Sequence, residues 1–328
     1  MNTPPLLVTF PSLDFFVSAL AEDTRSLYEA EIRGLVELGL PPVVSLRTIA
    51  VLFGFSPSFV GTLAKRPARY YRVFEIRTGK KVRFIQAPKV ALKLIQRWIG
   101  GNLASTFNYL DSTFGFVPGR SHIDAAARHC ESNWAYSVDI KDFFRTTSAA
   151  RVRTALLKLG YSGRAADLTV ALTCYEGFLA QGAPTSPVLS NIVFREYDQL
   201  LEELACELNL TFTRYADDIV FSGTGAPIAE LKDRVRSIIE SGGWKISEKK
   251  EKLFQKPYRL KVHGLLVDGT VPRLTKGYRR RIRALKHLLS QGKVPPKQLR
   301  KVQGHLNYAQ QVDSWLASQA ATDGDESS

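Results

Sequence analysis

A chain of 328 residues with 45% hydrophobic content is longer than one typical domain and predicts two or three subdomains around a sizeable core. Lysine and arginine outnumber aspartate and glutamate by 45 to 31, a net charge of +14, which points to a polyanionic partner, nucleic acid ahead of an acidic membrane surface. No apolar run approaches the ~20 residues of a bilayer span, and Asp14 interrupts an N-terminal stretch that lacks a basic lead-in, so neither a membrane nor a signal peptide is expected. Cys130, Cys174 and Cys206 lie far apart without metal-ligand spacing and read as reduced thiols of a cytoplasmic protein.

Residues 1–69 read as a helical N-terminal extension. Apolar positions from Leu13 to Leu38 recur at helical spacing until Gly39-Leu40-Pro41-Pro42 stops them. Ser45 suits the cap of a second helix through Phe53, and Ser56-Pro57 suits the opening of a third. The extension carries no nameable chemistry and is expected to pack or to dock a partner. Tyr70 to Ile76 and Val82 to Gln86 read as strands around a basic tip, Lys80, Lys81 and Arg83. Such a tip either reaches a triphosphate or is a solvated edge. After Pro88 comes an amphipathic helix with Leu92, Ile95 and Ile99 on one face.

Ser121 is a good cap for a helix through Cys130. Trp134 to Ile140 then reads as a buried strand with one acid, Asp139, near its end, and an ionisable group there demands a partner or a metal. Helices are expected from Thr147 or Ser148 to Gly160, from Gly163 to about Cys174, and from Pro187 to about Leu208. Thr211 to Ser222 reads as a hairpin with adjacent carboxylates, Asp217 and Asp218, at its tip. A low-energy turn would use Asn-Gly or Asp-Gly. The repelling pair makes sense if a divalent cation neutralises it, magnesium being suited to carboxylate and phosphate oxygens. Alone the pair would be an acidic surface turn, but Asp139 supplies a third carboxylate. Further expectations are a helix over Pro227–Ser241, a strand over Trp244–Ile246, the basic stretch Lys249-Lys250, and a strand over Arg259–Val267 ending at the turn Asp268-Gly269. From Lys276 a very basic helix begins, with Ile282, Leu285 and Leu289 as an apolar stripe. Arg279, Arg280, Arg283 and Lys286 cover much of the rest, either tracking a phosphate backbone or simply solvated. A last helix is expected from Lys297 to about Leu316. The order of elements suits an α+β fold, a small antiparallel sheet with helices on one face.

Taken together, several stretches resemble the reverse transcriptases, most closely the bacterial retron type. They are Y-R-V-F near Tyr71, R-F-I-Q-A-P near Arg83, G-F-V-P-G-R-S from Gly115, S-V-D-I-K-D-F-F from Ser137, Q-G-A-P-T-S-P-V-L-S-N from Gln181 and R-Y-A-D-D from Arg214, all in family order. Two elements depart: Ala125-Ala126-Ala127-Arg128-His129 stands where retron enzymes carry N-A-x-x-H, and Val262-His263-Gly264 where they carry V-T-G. Both elements are linked in the family to handling of the noncoding RNA. The resemblance implies a right-hand polymerase with fingers over 70–132, palm over 133–268, helical thumb over 269–320 and a disordered tail over 321–328. It implies Asp139, Asp217 and Asp218 as catalytic ligands of two Mg2+ ions. Around the dNTP it implies Lys81 and Arg83 on the triphosphate, the backbone near Asp142, Phe144 as a steric gate with Phe143 as its competitor, and Gln181 and Gly182 in the nucleotide pocket. Tyr215 would support the primer end. His263, Lys276, Arg279, Arg280, Arg283 and Lys286 would contact nucleic acid. The implied partners are a cognate structured noncoding RNA serving as template and primer, its linked DNA product, and a co-encoded effector in anti-phage defence. A non-retron defence reverse transcriptase is the nearest alternative. A nucleotide cyclase would leave Q-G-A-P-T-S-P unexplained, and an inactive RNA-binding scaffold would be expected to lose an acid.

Overall fold

In a computed structural model of the chain, residues 10–78 and 81–325 are described. The first helices are α1 (Leu13–Ser18), α2 (Glu22–Glu37), α3 (Leu46–Phe53) and α4 (Pro57–Lys65). The periodic stretch from Leu13 is therefore two helices rather than one, because Ala21 takes an extended backbone and Leu20 turns into the core. Ser45 caps α3, and Ser56 caps α4 with Pro57 in its first turn, as the spacing predicts. A two-stranded hairpin follows, β1 (Tyr71–Thr78) and β2 (Lys81–Pro88), paired in register from Tyr71 opposite Pro88 to Thr78 opposite Lys81. Lys80 at its tip lies outside the described residues. Helix α5 (Val90–Thr106) buries Leu92, Ile95 and Ile99.

Ser121 caps α6 (His122–Ala127) through a reciprocal bond with Asp124, and the helix stops short of Cys130. Strand β3 (Trp134–Asp139) leads into α7 (Phe143–Thr146), α8 (Ala149–Leu159) and α9 (Gly163–Thr173). A short hairpin, β4 (Cys174–Tyr175) with β5 (Phe178–Leu179), had no periodic signal to announce it. Next come α10 (Ser186–Glu207), β6 (Thr211–Tyr215), β7 (Asp218–Gly223) and α11 (Leu231–Ser241). The fourth strand of the main sheet is β8 (Lys252–Gln255) and not Trp244–Ile246, where only Ile246 bridges to Ile140. The stretch read as one strand from Arg259 is two, β9 (Lys261–Val262) and β10 (Leu265–Leu266), because His263 and Gly264 both take positive φ and reverse the chain. Strand β11 (Arg273–Leu274), α12 (Lys276–Ser290) and α13 (Pro296–Asp325) complete the chain. The last helix thus runs past Leu316 into the expected disordered tail, of which 326–328 lie outside the described residues.

The main sheet is antiparallel in the order β6-β7-β3-β8. Its strands alternate with period two. Trp134, Tyr136, Val138, Phe212, Ile219 and Phe221 face the large core built with α1 to α5 and α8 to α11. Ala135 and Val220 face a second, smaller core with Ile123, Val262, Leu274, Ile282, Ala309 and Val312, which fastens α12 and α13 to the sheet. Both faces are therefore covered in part, not one as expected. Among the described residues, no single helix is long and apolar enough to cross a membrane.

His129, the histidine of the A-x-x-H stretch, is fully buried on the second face, with Nδ1 2.8 Å from Ser222 Oγ and Nε2 2.7 Å from Thr213 Oγ1. It ties α6 to β6 and β7 and is not at a surface that RNA could touch. Burial pushes its pKa down to about 3, and His263 adds to the effect. The unfolded chain binds a proton near pH 6.5 that the folded ring refuses, so the stability contributed by neutral His129 is full above pH 6.5 and is lost as pH falls toward 3. The loss in melting temperature between pH 7 and pH 5 should accordingly be smaller for His129→Gln than for the native chain. Equal losses in calorimetry would mean that the ring is not held neutral.

Candidate active site

Antiparallel pairing of β3 with β7 sets Asp139 directly opposite Asp218. Asp217 occupies the two-residue turn between β6 and β7, and its carbonyl accepts a hydrogen bond from Ile140 N at 2.9 Å. Three carboxylates are thereby gathered at one end of the sheet. Asp139 is 6% exposed. Burial, with the charges of Asp217 and Asp218 adding to it, pushes its pKa up to about 6, against the opposing pull of Lys250. The Lys250 ammonium contacts the Asp139 carboxylate, and Ser247 N donates to Asp139 O at 2.8 Å. Asp218 faces His263 Nδ1 at 3.7 Å. Each outer acid thus has a neighbour of its own, and among the described residues the three do not close into a ready-made cage. The donor set nevertheless fits a hard divalent cation: all the ligand atoms are carboxylate oxygens, their charges repel, and an ammonium stands in as the neutralising charge.

Asp139 and Asp217 open onto a cleft of about 440 Å³, lined also by Arg83, Phe84, Asp142, Phe143, Phe144, Gln181 and Lys250. Most of the residues expected around a nucleotide are thus brought together. Gln181 joins the hairpin to the sheet domain, its N donating to Gln86 Oε1 at 3.0 Å and its O accepting from Gln86 N at 2.8 Å. Gly182, at φ +122°, lets the loop approach the hairpin so closely that a Cβ would lie 2.9 Å from Ile85 Cγ2. Lys81 begins β2 opposite Thr78. Asp218 and Tyr215 are not among the residues that line the cleft; the Tyr215 ring lies 6.1 Å from His122 and 5.4 Å from His263. A larger cleft of about 690 Å³, lined by Leu38, Leu103, Arg151 and Tyr197, contains none of the acids.

His263, expected among the nucleic-acid contacts, has a buried side chain. Its side chain is 4% exposed, because the tight β9–β10 turn folds it against Tyr215 and Asp218. By contrast Lys276, Arg279, Arg280, Arg283 and Lys286 are all exposed on α12, while Ile282 seats the helix in the second core. The pair Phe143 and Phe144 divides cleanly. Phe143 is 4% exposed and packs on Phe194 at 5.6 Å and Trp244 at 6.3 Å, whereas Phe144 is half-buried beside Phe116 at 5.9 Å.

Lys250 was missed as a site residue. Its basic neighbourhood was visible, but its place depends on the Ile140–Ile246 bridge that returns the chain to Asp139. Arg214 was noted only as part of a motif. It is fully buried and salt-bridged to Asp198, and its alternation with Phe212 on the core face was the available signal.

The antiparallel sheet, its acids and the flanking helices define a polymerase of the right-hand class. The family described as reverse transcriptase (RNA-dependent DNA polymerase) matches residues 76–265, and the chain belongs to it. It is similar to the retron Ec86 reverse transcriptase of Escherichia coli, 28% identical over 85% of this chain and 88% of that one. It is 35% identical to the retron Mx65 reverse transcriptase of Myxococcus xanthus over 77% of this chain, which spans 65% of that protein. With the retron Ec73 reverse transcriptase of Escherichia coli the identity is 32%, over 71% and 79%. The chain is an RNA-directed DNA polymerase of the retron type, working on an RNA template with dNTPs and, as in this family generally, divalent metal ions.

Removing the Phe143 ring should open a cavity in the core and cost about 3–5 kcal/mol. Phe144→Ala should cost markedly less, because its ring is not enclosed. Urea unfolding of the two variants checks the contrast, and equal losses would contradict the packing.

Proposed function

We propose that this polymerase copies a cognate structured noncoding RNA, primed from a 2′-hydroxyl of that RNA, into a covalently linked RNA–DNA product. The reading rests on the register that sets Asp139 against Asp218, with Asp217 at the tip, over a cleft that also holds Arg83. Asp139, Asp217 and Asp218 would hold two Mg2+ ions. Bound there, the ions would stabilise the attacking and leaving oxygens of an in-line displacement at the α-phosphate. Lys250 keeps Asp139 ionised against the burial that favours its protonation. Arg83 and Lys81 neutralise the triphosphate, and the backbone near Asp142 approaches it. Phe144, accessible where Phe143 is not, excludes a 2′-hydroxyl from the sugar site. Gln181 and Gly182 shape the nucleotide pocket, and Tyr215 supports the primer end. Fingers over 70–132, palm over 133–268 and thumb over 269–320 follow the elements around this cleft. The exposed basic face of α12 takes the RNA backbone, which suits recognition of RNA by shape and phosphates. The three unpaired cysteines suit the cytoplasm. A co-encoded effector and a role in anti-phage defence are further parts of this reading, carried by the retron resemblance.

Purified protein should extend a primed RNA template with dNTPs and magnesium, and sequencing of copurified nucleic acid should return a branched RNA–DNA species. Asp217→Asn should drop synthesis to background while melting no lower than the native chain in magnesium-free buffer, since one of two repelling charges is gone. Robust synthesis by that variant would remove the proposed metal site.

Changing Arg279, Arg280, Arg283 and Lys286 together to Gln leaves helix propensity nearly unchanged. RNA affinity should fall, and the slope of log affinity against log salt should become shallower by up to about one unit for each phosphate that α12 no longer neutralises. An unchanged slope and affinity would place the RNA elsewhere.

A further inference from the structure

The tip that carries Asp217 is not a relaxed turn. Ala216, just before it, sits at φ +58°, a left-handed backbone that an L-residue with a Cβ adopts only when its surroundings hold it there. Directly beneath lies Arg214, with a fully buried side chain. Its guanidinium donates to both oxygens of Asp198, each at 2.5 Å, to Asn191 Oδ1 at 3.0 Å and to the carbonyl of Ala216 itself at 2.9 Å. Asn191 in turn donates to Gly115 O at 2.9 Å, and Thr113 Oγ1 donates to Asp198 at 3.2 Å. Gly115 closes the arrangement from the other side. A Cβ on it would lie 2.0 Å from Ala216 N, so only glycine lets this loop press on the turn. Phe114 N fixes the loop in place by donating to Arg214 O at 2.8 Å. Three stretches distant in sequence, the 113–115 loop, α10 and the β6–β7 tip, are therefore joined around one guanidinium.

We infer that the buried Arg214–Asp198–Asn191 network is a positioning device for the reaction: it holds Ala216 in its left-handed conformation and so aims Asp217 at the cleft. Arg214 touches no substrate. Its planar fork bonds the turn carbonyl, Asn191 and Asp198 at once, which a lysine ammonium cannot reproduce in that geometry. The inference rests on the assignment of Asp217 as a metal ligand. The network's effect on the turn is a separate matter from that assignment and can be read separately.

Two variants of the full chain test it. Asn191→Ala leaves the buried ion pair intact and removes one acceptor of Arg214 and the tie to Gly115. Arg214→Lys keeps the charge and loses the fork. Amide hydrogen exchange over residues 211–223 and binding of Mn2+ alone, followed by the loss of the free-ion EPR signal, are measured beside polymerisation. The expected result for both variants is faster exchange at the turn and half-saturation by Mn2+ raised roughly tenfold, because losing a group that orients a metal ligand typically costs about 10–100-fold in metal affinity or activity. The rate at saturating dNTP should fall without a matching change in RNA affinity. If Arg214→Lys does not fold, Asn191→Ala decides. Native-like exchange at the turn in a folded Asn191→Ala protein overturns the inference. If Asp217→Asn itself binds Mn2+ like the native chain, the metal assignment fails instead, and the exchange data still report whether the network holds the turn.

Discussion

Everything in the cleft depends on the pairing of β3 with β7. Like charges directly opposite each other on neighbouring strands are destabilising, yet this register sets Asp139 against Asp218. What enforces it lies on the other face of the same strands. Trp134, Tyr136, Val138, Ile219 and Phe221 are each at most 1% exposed. A slip of either strand by one residue would turn that strand's whole set out of the core. Hydrophobic burial on one face therefore compels electrostatic repulsion on the other. The chain relieves that repulsion locally, through Lys250 at Asp139 and the exposure of Asp218.

Much of this was legible in the sequence, and the legible parts share a property: they are local. Caps at Ser45, Ser56, Ser121 and Ser148 announce their helices because the capping bond spans only two or three residues. The acid pair stands out because no ordinary turn favours it. The hidden parts depend on pairing between distant segments. Lys250 reaches Asp139 across 111 positions, and β8 joins the sheet with K-L-F-Q, too short and too polar to show alternation. His263 misled because V-H-G reads as strand, while its backbone turns. Arg214 was the nearest miss. Alternation already placed it on the face of Phe212, where a charge needs a buried partner, but the partner lay on another element.

The turn that carries Asp217 is held from two sides by different chemistry. On the core side the Arg214 guanidinium grips its carbonyl. On the other side, Tyr215 lies among rings that continue through His122 to Tyr308 on α13, 5.4 Å away. The helix pair bearing the exposed basic face is thereby packed, ring against ring, onto the residue beside the acids. Close-packed interiors transmit displacement rather than absorb it. Anchoring on the core side is what lets the turn keep its geometry against displacement of α12 and α13.

The β1–β2 hairpin obeys the opposite logic. Val73, Phe74, Ile76, Val82 and Phe84 are 44–53% exposed, so beyond its base, where Tyr71 enters the core, neither of its faces is buried. Its link to the Gln181 loop is a reciprocal pair of hydrogen bonds from Gln86. Segments with few buried apolar contacts open at low free energy. A polymerase must admit and release a nucleotide at every addition while its acids stay fixed. In this chain Arg83 stands on a hairpin whose outer part is exposed, and Asp217 on a turn whose preceding carbonyl is held by a buried guanidinium.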